Sequence, residues 1–154
     1  MIDDVDIKIM SILQQNGRTK RSVLAEKVGL SIATVSDRMK KLEDAGIITG
    51  YRAELDPKKL WKDITAFILV YIDSSKHYYD FIGHIHNFDE IQECHAITGE
   101  GSHLLKIRTH NTATLEKLLT KVQSLPGVIS TKTSIVLSSS KETNLIKITP
   151  PKER

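Results

Sequence analysis

The chain has 154 residues, a formal net charge of +3 and a single cysteine, Cys94. That length allows one compact domain or two small ones, and a lone cysteine excludes an intrachain disulfide and points to a reducing compartment. No apolar run approaches the roughly 18 residues of a membrane span, and the acidic opening MIDDVDIK is the reverse of a basic signal peptide, so a cytoplasmic protein with no membrane partner is expected.

Residues 3–46 predict three short helices. Asp3 or Asp4 can cap the first, whose Val5, Ile9, Ile12 and Leu13 share one face, and Asn16-Gly17 ends it. A second helix near Arg21–Val28 would bury Leu24, Ala25 and Val28 and stop at Gly29. Ser31 then caps a third, with Val35, Met39 and Leu42 as its apolar stripe, Ile32 beside it, and Gly46 as terminator. IITGYRAEL follows as an extended stretch long enough for a small two-stranded wing. Asp56-Pro57 and KKLWKD read as a hinge.

Beyond the hinge the chain repeats itself faintly. ITAFILVYI (64–72) precedes a helix with Tyr78, Phe81, Ile82 and Ile85 at i, i+3, i+4 and i+7. Thirty-seven residues on, HLLKIRT (103–109) precedes Leu115, Leu118, Leu119 and Val122 at the same spacing, and strands starting at Ile91 and Val128 repeat that shift. Strand–helix–strand written twice predicts βαββαβ, an antiparallel sheet with two helices on one face, which is a ferredoxin-like domain. The whole is therefore α+β. Residues 1–50 form a winged helix-turn-helix, 51–62 a hinge, and 63–154 the ferredoxin-like domain. The 64–72 strand is apolar on both sides, with Phe67, Leu69 and Tyr71 opposite Ile64, Ala66, Ile68, Val70 and Ile72. Helices cover one side only, so an identical subunit is expected on the other.

Charge is distributed unevenly. Between Arg18 and Lys41 seven basic residues stand against two acids, and acids crowd the flanks at Asp3, Asp4, Asp6, Glu43 and Asp44. A bounded basic stripe fits a nucleic-acid footprint. The second helix of a helix-turn-helix enters the major groove, about 12 Å wide, and meets bases through its N-terminal residues. With Val35, Met39 and Leu42 turned inward, Ala33, Thr34, Asp37, Lys40 and Lys41 point out, and Ser31 and Arg38 lie on the flanks. Small residues at the helix start let the backbone approach base edges, and the later lysines reach phosphates. Those seven are the expected contacts to double-stranded DNA.

Several stretches together resemble the Lrp/AsnC (leucine-responsive regulatory protein, feast/famine) family. They are IDDVDIKIMSILQQNGR, LAEKVGLS, VSDRMKKLEDAGIITGY, AELDPKKL, AITGEGSHLLKIRT and LPGV, spread along nearly the whole chain. The resemblance implies a transcriptional regulator with a DNA-binding domain, a hinge, and a ferredoxin-like domain called RAM. In the family that domain dimerises, often assembles further into octamers or discs, and can bind an amino-acid effector between dimers. It also places an effector-binding turn at Thr98, Gly99, Glu100, Gly101, Ser102 and His103. There the family usually has an aromatic residue and then an aspartate, where this chain has Gly101 and Ser102. Without that aspartate, weak or no binding of leucine, asparagine or similar amino acids is expected, or a different ligand.

Two rival readings compete. Six histidines, all beyond Trp61, could suggest a metal enzyme. His84 and His86, two apart on a helix, diverge too far to share a metal. If Thr98 pairs with His103, then His95 faces Lys106, Glu93 faces Arg108 and Cys94 faces Ile107 on the helix-covered side. No nucleophile–base pair and no phosphate-binding glycine loop emerges, so neither catalytic residues, nor metal ligands, nor a cofactor are assigned. The other rival is a small-molecule sensor or protein-interaction module that does not bind DNA, which salt-sensitive DNA binding would exclude.

Overall fold

A computed structural model describes residues 2–73 and 75–149, which fall into two compact units. The first comprises the described residues up to Glu54 together with those from Lys141 onward. Helix α1 (Asp4–Gln15) opens with a capping box, in which Asp6 N–H donates to the Asp3 side chain and Asp3 N–H to Asp6. Helix α2 (Arg21–Val28) has no side-chain cap at its start and ends on Gly29, whose φ of 72° is left-handed. Helix α3 (Ile32–Asp44) is capped by Ser31. Ile9, Leu13, Leu24, Ala25, Val35 and Met39 form the core, with Ile12, Val28, Leu30 and Ile48 packed on it. Each fully buried Ile, Leu or Val side chain in that core contributes roughly 1.5–3 kcal/mol.

Two features of this unit depart from expectation. Residues 47–56 form no β-ladder among the described residues, where a two-stranded wing is expected, and Ile47 and Ile48 N–H both bond back to Leu42 O. Tyr51 instead ties the stretch back to α3 through a 2.8 Å bond from its hydroxyl to Glu43 Oε1. Burial, and then the Glu43 carboxylate, push that phenol up to about 12. The second departure is the C-terminal arm. The sequence pattern places it in 63–154, yet residues 141–149 group with the first unit, and the Gln14 amide binds them there. Gln14 Nε2 donates to Ile146 O at 3.0 Å and Oε1 accepts from Ile146 N–H at 2.7 Å.

The second unit, Leu55–Ser140, begins with a 3₁₀ turn at Lys58–Leu60 inside the expected hinge. Its order is β1 (Ile64–Ile72), α4 (Tyr78–Ile85), β2 (Ile91–Ala96), β3 (His103–Thr109), α5 (Thr112–Gln123) and β4 (Val128–Ile135). The sheet runs β2-β3-β1-β4 and the three pairings are antiparallel, as the doubled βαβ pattern predicts. Ala66, Ile68, Val70, Leu105 and Ile107 meet Phe81, Ile85, Leu115, Leu118 and Val122 of the helices in one core. On the opposite face Leu69 pairs with Leu104 and Lys132, and Phe67 is 37% exposed.

The β2–β3 register is offset by two residues from the expected one. Ala96 pairs with His103, His95 with Leu104, Cys94 with Leu105 and Glu93 with Lys106, followed by a bulge before Ile91. The physical reason lies in the turn. Ser102 N–H leaves the hairpin for Val70 O at 2.9 Å, and only Ile97 N–H closes the loop, on Ser102 O. Glu93 thus meets Lys106 at 3.2 Å, and Arg108 Nε donates to Gln92 Oε1. An even offset keeps Glu93, Cys94, His95 and Ala96 on their expected faces, while the bulge brings Ile91 opposite Ile107 on the core side. Cys94 accordingly still packs against the helix-side core.

Candidate nucleic-acid interface

Helix α3 presents the expected contact residues in three different situations. Ala33, Thr34, Asp37, Lys40 and Lys41 are exposed, opposite the buried Val35, Met39 and Leu42. Ser31 and Thr34 are partly committed to the helix start. Ser31 Oγ accepts from Thr34 N–H at 3.1 Å and shares a 2.8 Å bond with Thr34 Oγ1. This pins the first turn, where the small Ala33 leaves the backbone uncovered. Arg38, on the flank of that row, extends its side chain to α1. Its Nη1 lies 2.7 Å from Asp3 Oδ2 and 2.8 Å from Asp6 Oδ1. The Asp6 N–H bond, and then Arg38, hold the Asp3 carboxyl below the usual range, and the two carboxylates raise the Arg38 guanidinium.

A second basic surface lies outside α3, at residues the helix-turn-helix pattern does not mark as contacts. The exposed Arg18, Lys20 and Lys27, with Asn16 and Thr19, line a shallow cleft of about 360 Å³ at the α1–α2 corner. The local basic excess was its only sequence signal.

The turn named as an effector site divides in two. Thr98, Gly99 and Glu100 are exposed, Gly101 and Ser102 are half-buried, and His103 is fully buried. Gly101 sits at φ 77°, and a Cβ there would lie 2.7 Å from Leu69 Cδ1 and 3.2 Å from Val70 O. Both the conformation and the space call for glycine. The Ser102 hydroxyl donates to Val70 O at 3.0 Å, which leaves its oxygen to accept from His103 Nδ1–H at 3.1 Å. That tautomer puts the lone pair on Nε2, which has no partner among the described residues. The Tyr78 and Phe81 rings flank the imidazole at 5.0 Å, and burial lowers its pKa. Among the described residues no group of three or more His, Cys, Asp or Glu could hold a metal ion.

A tri-helical unit with a basic helix-turn-helix, continued by a ferredoxin-like α+β domain, defines a DNA-binding regulator with a separate regulatory domain. Comparison with known proteins agrees at both ends. Residues 2–49 match the model of a winged helix-turn-helix DNA-binding family, and residues 65–146 that of the Lrp/AsnC ligand binding domain. The leucine-responsive regulatory protein of Haemophilus influenzae is 38% identical over 148 residues, covering 94% of this chain and 89% of that protein. The structure of Escherichia coli AsnC superposes with a TM-score of 0.88 at 33% identity, covering 94% of this chain and 98% of that one. A Neisseria meningitidis transcriptional regulator in complex with L-methionine gives 0.88 at 36%, covering 94% and 95%. The chain belongs to the Lrp/AsnC family and is a DNA-binding transcriptional regulator of that type.

Proposed function

We propose that this regulator binds a pseudo-palindromic DNA site as a homodimer, with α3 of each copy in the major groove. Half-site centres then lie one or more helical turns apart, about 34–36 Å per turn. The observation that carries the reading is the exposed row Ala33, Thr34, Asp37, Lys40 and Lys41 on a helix whose other side is core. Thr34 and Asp37 address base edges, and Lys40 and Lys41 address phosphates. Dimerisation uses the helix-free sheet face, where Phe67, Leu69, Tyr71 and Leu104 form an apolar centre between polar flanks; further assembly to an octamer, as the family resemblance implies, uses the same domain. The regulator acts in the cytoplasm and not as an enzyme, in line with relatives that are transcriptional regulators. Among its described residues no helix is long and apolar enough to cross a membrane.

The amino-acid complex of the Neisseria relative makes an amino acid the first effector class to consider. This chain's turn argues for weak binding of the common ones or for a different ligand. Ser102 spends its hydroxyl on Val70 and His103, and Gly101 rests on Leu69. An ammonium group is costly to bury without an anionic partner, and Glu100 is exposed.

The deciding experiment is a gel-shift series on a duplex that the protein selects from a random pool. Lys40→Ala or Lys41→Ala should weaken binding to all sequences and reduce the salt slope by about one per lost phosphate contact. Changes at Thr34 or Asp37 should alter sequence preference more than affinity. Absence of any salt-dependent complex would sink the reading and favour a sensor that does not bind DNA.

A further inference from the structure

We propose that Arg38 is a positioning residue that sets the angle of α3 for DNA, and that it makes no phosphate contact itself. This rests on the DNA-reading role of α3 given above. The geometry uses every carboxylate oxygen of the α1 capping box. Asp3 spends Oδ1 on Asp6 N–H and Oδ2 on Arg38, while Asp6 spends Oδ2 on Asp3 N–H and Oδ1 on Arg38. One guanidinium nitrogen therefore joins the N-terminus of α1 to the middle of α3. The Asp6 side chain is only 11% exposed, so the Arg38–Asp6 pair is sheltered, while Asp3, at 51%, closes the clamp from the solvent side.

The charge count points the same way. One guanidinium against two carboxylates leaves the cluster at net −1, and a phosphate approaching it meets repulsion rather than attraction. To reach a phosphate, Arg38 would have to abandon two charge-assisted bonds and leave a largely buried carboxylate unpaired. On the helix, Thr34 lies one turn before Arg38 and Lys41 nearly one turn after, on the same side. Fixing residue 38 to α1 thus fixes the two flanking side chains that meet the groove. A clamp at the helix middle resists tilt, which the cap at Ser31 cannot do from its end.

The test compares Arg38→Gln, Arg38→Lys and Asp3→Asn with the parent protein and Lys40→Ala, on the selected duplex and a scrambled one, across a salt series. Asp3→Asn keeps one oxygen to cap α1 and replaces the other, the Arg38 acceptor, by an amide NH2 that cannot accept, so it breaks this half of the clamp along with its charge. Positioning predicts that Arg38→Gln and Asp3→Asn each lower affinity for the selected duplex by about tenfold, the size of one misplaced base contact. The double variant should lose little more than either single one. Affinity for the scrambled duplex and the salt slope should stay at the parent's values, and Arg38→Lys should recover part of the loss. A phosphate contact predicts the opposite pattern. Arg38→Gln would then cut the slope by about one, as Lys40→Ala does, and Asp3→Asn would tighten binding to both duplexes. Either result overturns the proposal while leaving the DNA-reading role intact. If Arg38→Gln does not fold, Asp3→Asn and Arg38→Lys decide alone.

Discussion

At the scale of single residues, His103 was named in the sequence only as part of a turn, and the structure gives it a separate character. A fully buried neutral imidazole with a bare Nε2 resists protonation. In the unfolded chain histidine titrates near its ordinary value, about 6.5, and in the fold its pKa is lower. The unfolded state thus takes up the proton first as pH falls. The His103 contribution to stability is intact above about pH 6.5 and declines below it. Urea midpoints at pH 7.5 and 5.5 should therefore separate more for the parent protein than for His103→Leu. Equal separation would mean that His103 stays neutral for no energetic reason of its own. The neighbouring Gly101 and Ser102 carry the effector prediction. A thermal-shift screen of the twenty amino acids at millimolar concentration should show no clear stabilisation. A ligand at a hundred times its dissociation constant would add about 2.7 kcal/mol, a visible shift. One standard amino acid that raises the melting point would refute it. The aspartate-to-serine departure was legible in the sequence, whereas the collapse of Gly101 onto Leu69 was not, because it depends on strand pairing across 32 positions.

At the scale of elements, periodicity did most of the work. The five α-helices of the described residues were legible from apolar spacing, and the four strands from a 37-residue repeat that preserved their order. Pairing register was less accessible, since Ser102 left the hairpin for Val70 and lengthened the turn by a bond no local pattern encodes. Arg38 shows the same limit on a helix. Its position marks it as a flank residue, but flank arginines face DNA or a neighbouring helix with equal ease, and only Asp3 and Asp6 decide between them. For the sheet, strand β1 supplies a direct prediction. Leu69 and Lys132 are cross-strand partners on the helix-free face. Leu69→Asp should shift the protein to monomer in light scattering at micromolar concentration, because it puts an unpaired charge into the apolar centre. Lys132→Asp, on the edge strand, should leave it a dimer. A parent protein that is monomeric at that concentration would remove the basis for the dimer.

At the scale of the molecule, the arm from Lys141 onward alters what counts as the DNA-binding unit. Composition gave no reason to separate it from the preceding strand, and its partner Gln14 is 132 positions away, beyond the reach of any sequence window. Gln14→Ala removes both side-chain bonds to Ile146. At about 0.5–1.5 kcal/mol net for each bond, less for exposed ones, it should lower the stability of the helical unit by about 1 kcal/mol. It should also speed proteolysis within 141–149, and a chain stopped after Ser140 should show the same loss of helical stability. Unchanged cleavage in Gln14→Ala would show that the arm is held by other contacts.

The arm also orders events during synthesis. The three helices leave the ribosome before the sheet domain, and the segment that completes their unit follows it. A nascent chain can fold its helices and its entire sheet domain while the clasp on Gln14 is still missing. The DNA-binding half then reaches its final stability only after the regulatory half has been translated, so a chain that stops within the sheet domain is born with a weakened reader.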